Sequence, residues 1–367
     1  MATNQPKKRT KQSKNNIIET HRKLHNGYSD GLEPLEALDL NKIKDFDGLA
    51  RAMSKTAFGG RALGEAADVL YEMASDPDCF VVGTFAGAMT PAKMGLLIVE
   101  MIDRGIINAV ISTGALMTHG LVETTGMSHF KYKMGQMNDK KLYEMGYDRI
   151  YDILELEKNL DDLESIVFNV FKNIDPKEIV SSRTICEKIG RYLKEKTSGR
   201  GILKSAFNKN TPVYIPALTD SELGLDFALF NRLRKKQGKK LLRYNPFLDL
   251  EHFAELILKQ KKIGIFTIGG GVPRNWGQQV GPYLDLITHR VGEGGGYVRY
   301  NYGVRICPEP VEWGGLSGCT YSEGVSWGKF VPPEEGGRLA EVLSDATIAW
   351  PIILKAVIER LEKNKKK

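Results

Sequence analysis

Hydrophobic positions along the chain fall into two alternating patterns. Over 62–75, ALGEAADVLYEMAS, apolar residues recur at helical spacing among good helix formers, which predicts a helix. Beyond it lie short apolar runs: CFVV (79–82), INAVIST (107–113), TPVYIPALTD (211–220) and, clearest of all, KIGIFTIGGGVPRNW (262–276). Each runs into a loop of small or turn-forming residues, as a buried strand does. Helical stretches, 91–103 and DLEHFAELILKQ (249–260) among them, separate the runs. Strand–loop–helix alternation predicts an α/β domain with a mainly parallel sheet. In such sheets ligands bind in the crevice at the carboxyl ends of the strands, where the unusual loops of this sequence fall. Residues 131–175 are polar and helix-prone and read as an insertion or a partner-facing segment. Without an internal repeat or a Pro- or Ser-rich linker, the expectation is one domain with flexible ends.

Composition narrows the class. Of 367 residues, 42% are hydrophobic and 26% charged, which fits a globular protein with a real core. No uncharged apolar run reaches the length of a membrane span, and the N-terminus lacks the apolar core of a secretory signal. Cys79, Cys186, Cys307 and Cys319 are far apart and lack zinc-like spacing, so reduced thiols in a cytoplasmic setting are expected. The net charge of +7 sits at the ends: five cations and no acid in residues 1–16, and four lysines in 363–367. The body between is slightly acidic, so residues 1–30 and 363–367 read as basic, disordered tails around a domain at 31–362. A dedicated nucleic-acid fold is not expected, because the body has no basic stripe with interleaved aromatics.

Four loops carry candidate chemistry. The triplet Gly269–Gly271 follows an apolar strand and allows close backbone approach to a ligand, although the dinucleotide pattern GxGxxG is absent. TGALMTHG (113–120) repeats this layout, with His119 either lining a pocket or serving structure. PALTDSELGLDF (216–227) sets Asp220, Glu222 and Asp226 past a strand end, as ligands for hydroxyls or cations or as helix caps. No histidine cluster accompanies them in sequence, so no metal is expected. The densest stretch is EPVEWGGLSGCTYSEGVSWGKF (309–330), with five glycines, two tryptophans, several acids and one lysine. Carboxylates beside indole faces suit a long dication. A lysine desolvated there has a lowered pKa and a nucleophilic amine, whereas on a surface it is only a solvated charge.

The block SEGVSWGKF (322–330), with VISTGA, IPALTD and its following LG, IGGGV and SDATIAWP in order, resembles the deoxyhypusine synthase family over roughly residues 75–360. The resemblance implies a Rossmann-like fold with helices on both faces of the sheet, assembled as a homotetramer with active sites at subunit interfaces. It also implies an NAD-dependent aminobutyl transferase that moves the butylamine group of spermidine or putrescine through an enzyme-lysine imine to an amine acceptor. Lys329 matches the imine-forming lysine, and Trp327 and Glu323 match substrate-pocket positions. Thr113 with Gly114, Asp220, Gly271, Ser317 and Asp345 match cofactor-contacting positions.

The chain also departs from the family pattern. Asn275 and Trp276 stand where protein-modifying members have a histidine. AGA occupies 86–88, Thr118 and His119 replace an acidic pair, and Leu225 and Leu316 replace aspartates. Trp276, Trp313, Glu222, Glu312 and Asp226 are the expected stand-ins. A changed pocket around a retained lysine favours a free polyamine acceptor, giving homospermidine. Modification of a translation-factor lysine is the alternative, and a non-catalytic NAD-binding assembly protein a further one.

Overall fold

The apolar runs become strands of one sheet. The computed structural model describes residues 24–365, with the exceptions of Gln136 and Gly295. The chain divides at residue 36. In the short unit before that point, Tyr28–Asp30 forms a single 3-10 turn and the His25 ring bonds Asp30 at 2.8 Å. The expected N-terminal tail otherwise lies largely outside the described residues.

The second unit holds six parallel strands: β1 (Cys79–Phe85), β2 (Ala109–Ser112), β3 (Val213–Tyr214), β4 (Lys262–Ile268), β5 (Tyr302–Ile306) and β6 (Arg338–Val342). Their spatial order is β6-β5-β4-β1-β2-β3, the doubly wound arrangement that grows outward in both directions from β1. The longest pairing joins β1 to β4, from Cys79 opposite Lys262 to Phe85 opposite Ile268. Because strand side chains alternate, Val81 and Phe85 enter one buried cluster while Val82 enters another. Ile265 and Phe266 divide in the same way, so both faces of the sheet are covered.

The predicted elements form with shifted bounds. The helix expected over 62–75 begins earlier, at Phe58–Ser75, and that expected over 91–103 is Gly95–Asp103. The run 262–276 ends as a strand at Ile268, and Gly271–Gln278 is already a helix. Residues 131–175 are more than an appendage. Strands Phe130–Lys131, Tyr147–Ile150 and Ile153–Leu156 make a small antiparallel sheet, followed by helix Glu157–Lys172. Leu163, Val167 and Phe171 of that helix sit in the main core. The C-terminal boundary also needs correction. Helix Ala346–Lys365 runs past residue 363, and Lys363 pairs with Asp45 at 2.8 Å and Asp47 at 3.0 Å.

Candidate functional site

All six strands run the same way, so the loops leaving their carboxyl ends lie along one edge. The sheet order reverses between β1 and β4, where the Ala86 amide donates to the Ile268 carbonyl at 3.1 Å. This is the switch point at which doubly wound folds leave a crevice. Two clusters of candidate residues are built on these loops.

The first surrounds Lys329. Thr320 caps the helix Tyr321–Ser326, its side chain accepting from the Glu323 amide. Gly328 then takes a left-handed φ of 68°, which turns the chain back. Lys329 follows directly, its amide donating to the Gly324 carbonyl at 3.0 Å. Its side chain folds inward and is only 9% exposed. Nζ donates to Asn275 Oδ1 at 3.2 Å and lies 5.7 Å from the centre of the Trp327 ring. Burial holds this amine below the ordinary lysine range; Arg274 adds to the lowering, while Cys319 and Glu323 oppose it.

Two arginines organise the wall of this site. Arg274, almost wholly buried, donates to the carbonyls of Cys319 at 2.7 Å and Leu316 at 2.8 Å. Arg305 donates to the Ser317 carbonyl at 2.5 Å and pairs with Glu341. Gly270 lies so close that a Cβ there would sit 2.7 Å from Ser317 Cα. The glycine loop and residues 316–319 are therefore packed together, and a Cβ on Gly271 would lie 3.8 Å from Ser317 Oγ.

The second cluster lines a cavity of about 620 Å³ formed by Gly87, Ala88, Thr113, His119, Asp220, Glu222 and neighbouring residues. Thr113 caps helix Gly114–Thr124 and Ser221 caps helix Glu222–Lys236. Gly114 permits the contact between these turns, since a Cβ there would fall 2.1 Å from Ser221 Oγ. The Glu222 carboxylate reaches toward His119 Nε2 at 3.9 Å, and its buried Oε2 has no hydrogen-bond partner. Asp226, one turn further along the helix, is pushed up to about 7 by burial and by the charges of Glu164 and Glu222. Lys329 is not among the lining residues of this cavity.

Other expected site residues take different places. Trp276 stacks on Phe253 at 5.2 Å between centroids and lies 5.4 Å from Tyr214, which makes it a packing residue. Glu312 and Trp313 stand on an exposed 3-10 turn, with Trp313 76% exposed. Asp345 accepts from the Thr347 amide at 2.7 Å and from its hydroxyl at 2.9 Å, and it borders a different hollow. Sequence reasoning missed Arg274 and Arg305. It also missed the histidine–carboxylate group of His119, His129 and Glu155, which comes from segments too far apart to signal one another.

The family model described as deoxyhypusine synthase matches residues 48–357. The chain belongs to the deoxyhypusine synthase family. This is a family of transferases and is NAD-dependent. "Probable deoxyhypusine synthase 1" of Methanosarcina acetivorans is 36% identical over 90% of this chain and 96% of its own length. "Probable deoxyhypusine synthase 2" of the same organism is 32% identical over 92% of each. The "putative deoxyhypusine synthase" structure from Entamoeba histolytica aligns at a TM-score of 0.55 with 13% identity, covering 89% of this chain and 97% of that one. This last likeness supports the deoxyhypusine synthase fold alone. Among the described residues, no helix is long and apolar enough to cross a membrane.

Proposed function

We propose that the protein is an NAD-dependent 4-aminobutyl transferase in which Lys329 carries the butylamine group of spermidine or putrescine as an imine. The observation that carries this reading is the buried Lys329 amine, held below the ordinary lysine range with Asn275 and Trp327 beside it. A desolvated amine is neutral, and thus nucleophilic, at lower pH than a surface lysine. The indole face of Trp327 and the carboxylate of Glu323 suit the cationic end of the incoming amine.

Two loops support NAD as the cofactor in this reading. The cavity beside Thr113 and Asp220 falls within the size range of small-molecule sites, and Asp220 offers a carboxylate to ribose hydroxyls. Gly271 opens an eight-residue helix whose first amides can face a phosphate. NAD, when bound, supplies the oxidation of the amine and the final reduction of the imine. Lys329 and the cavity are furnished by separate loops, so in this reading copies of the chain complete one another's sites in a homotetramer. The cytoplasm is the proposed setting.

The favoured acceptor is a free polyamine, giving homospermidine, because Leu225 on the cavity wall and Leu316 on the loop held by Arg274 carry less charge than the family pattern at those positions. The identity to proteins described as deoxyhypusine synthases favours a second reading, with a protein lysine as acceptor. Incubation with NAD and spermidine, borohydride trapping and peptide mass spectrometry test the carrier. An aminobutyl adduct is expected on the peptide containing Lys329, with Lys329→Ala losing it by at least about a thousand-fold. Supplying putrescine or a protein acceptor then separates the two readings by product mass. No adduct with either amine, despite measured NAD binding, rejects both.

A further inference from the structure

The edge of the sheet opposite the candidate catalytic loops carries a cavity of its own. It has a volume of about 350 Å³ and lies at the amino ends of β1, β2 and β3, where Phe80, Asn108 and Thr211 line it. Helices Ser182–Lys196, Ile202–Lys209 and Phe247–Leu258 contribute Arg183, Leu203 and Leu256 to its walls. This volume falls within the range of small-molecule sites. Lys329, Thr113 and Asp220 are not among its lining residues.

Arg183 supplies the charge on this wall. Its amide donates to Asp249 Oδ1 at 3.2 Å, so the first turn of its helix is already served. The guanidinium is not. Its Nε is buried with no hydrogen-bond partner among the described residues, and Nη1 meets Glu187, one helical turn on, at 3.4 Å. Glu187 is 49% exposed, which makes the pair a loose, water-screened one. Burial holds the neighbouring His252 imidazole below its usual range and the charge of Arg183 adds to the lowering, so the histidine favours its neutral form. Beside the cavity, Arg191 and Lys194 lie 5.6 and 5.4 Å from the centre of the Phe207 ring and strengthen the positive field. Asn108 commits its Oδ1 to the Val81 amide at 2.8 Å, which leaves it an N–H donor to offer.

We propose that this cavity binds a small organic monocarboxylate with an apolar body. The carboxylate would take Nε and Nη2 of Arg183 together, while the body lies against Phe80, Leu203, Phe207 and Leu256. The guanidinium fork matches a carboxylate bidentately, and this approach gives the buried Nε a partner while Nη1 keeps Glu187. A bare phosphate would meet the same charge but leave the apolar walls unfilled. Because the cavity and the candidate catalytic loops occupy opposite edges of the sheet, the carboxylate competes with neither the amine nor the cofactor.

Calorimetric titration of the full-length protein with phenylacetate tests this without turnover. Binding with a Kd of about 1 mM or tighter is expected. Phosphate has the charge without the body and 2-phenylethanol the body without the charge, and each should bind at least about ten-fold more weakly. Arg183→Gln removes the fork, and Leu256→Trp fills the cavity while leaving Arg183 in place; each should weaken phenylacetate by about ten-fold or more. Glu187→Gln should tighten it by about two-fold, because a nearby negative charge is removed. An excess of NAD and spermidine should leave the affinity unchanged. Far-UV circular dichroism checks the fold of each variant, and the comparison of the three probes on the unaltered protein decides the matter without them. Absence of phenylacetate binding, equal binding of phosphate, undiminished affinity in Arg183→Gln or Leu256→Trp, or displacement by NAD and spermidine would each overturn the proposal.

Discussion

The two candidate clusters differ in how they are assembled. The turn that sends Lys329 inward lies within ten residues, where Thr320 caps the short helix, Gly328 reverses the chain, and Trp327 and Glu323 flank the amine, which then reaches Asn275. The cavity beside Thr113 draws instead on the loops after β1, β2 and β3, and its histidine is held from behind by Glu155, 36 residues away. The lysine site is a local device that needs clamping, whereas the cavity is a tertiary product that needs the whole sheet. Damage should therefore spread differently from each.

The largest separation is expected from Arg274→Ala. It removes two hydrogen bonds to the carbonyls of Leu316 and Cys319 and leaves a hole in the packed interior. A loss of about 3 kcal/mol in urea unfolding is expected, with loss of adduct formation at Lys329. NAD affinity, if the Thr113–Asp220 cavity carries most of it, should fall far less; an equal fall in both would break the distinction. Next is Asn275→Asp, which sets a negative charge against Nζ. It should raise the pKa of Lys329 and move the pH dependence of adduct formation upward by about one unit, read by borohydride trapping across pH. An unchanged profile would mean the amine is not the titrating group.

The smallest effect belongs to the helix that Glu222 opens beside the cavity. Asp226 has an ordinary value of 3.8 and is pushed up to about 7 by burial, Glu164 and Glu222. Between those two values the folded protein binds more protons at this group than the unfolded chain, so its contribution to stability falls as pH rises through the window. Asp226→Asn should thus be more stable than the parent by about 1–2 kcal/mol at pH 8, with the difference vanishing below pH 4. Denaturant titrations at both pH values check this, and adduct formation at Lys329 should be unaffected.

Legibility followed the same division. The strand–loop–helix rhythm and the carboxyl-edge loops could be read because apolar runs and turn residues are local signals. That Lys329, Trp327 and Glu323 lie together could be read because the motif is contiguous. Thr113 and Asp220, matched separately by resemblance, line one cavity because they follow strands that neighbour in the sheet. Trp276 could not be read correctly: an indole near a glycine loop does not reveal which side of its helix meets Phe253 and Tyr214. Nor could Glu155, a lone acid in the apolar run ILEL, whose partners appear only once the small sheet folds against helix Gly114–Thr124. The tail at 363 was misplaced because lysines look solvated until Asp45 and Asp47 arrive from the other end of the chain.

The arginine clamps on residues 316–319 grip main-chain oxygens, and a carbonyl presents the same face whatever side chain it belongs to. Arg274 and Arg305 can hold the loop in one shape while the residues on it are exchanged. An aspartate could give way to Leu316 there without the wall moving or the lysine losing its setting. Such a loop is a fixed frame with replaceable panels.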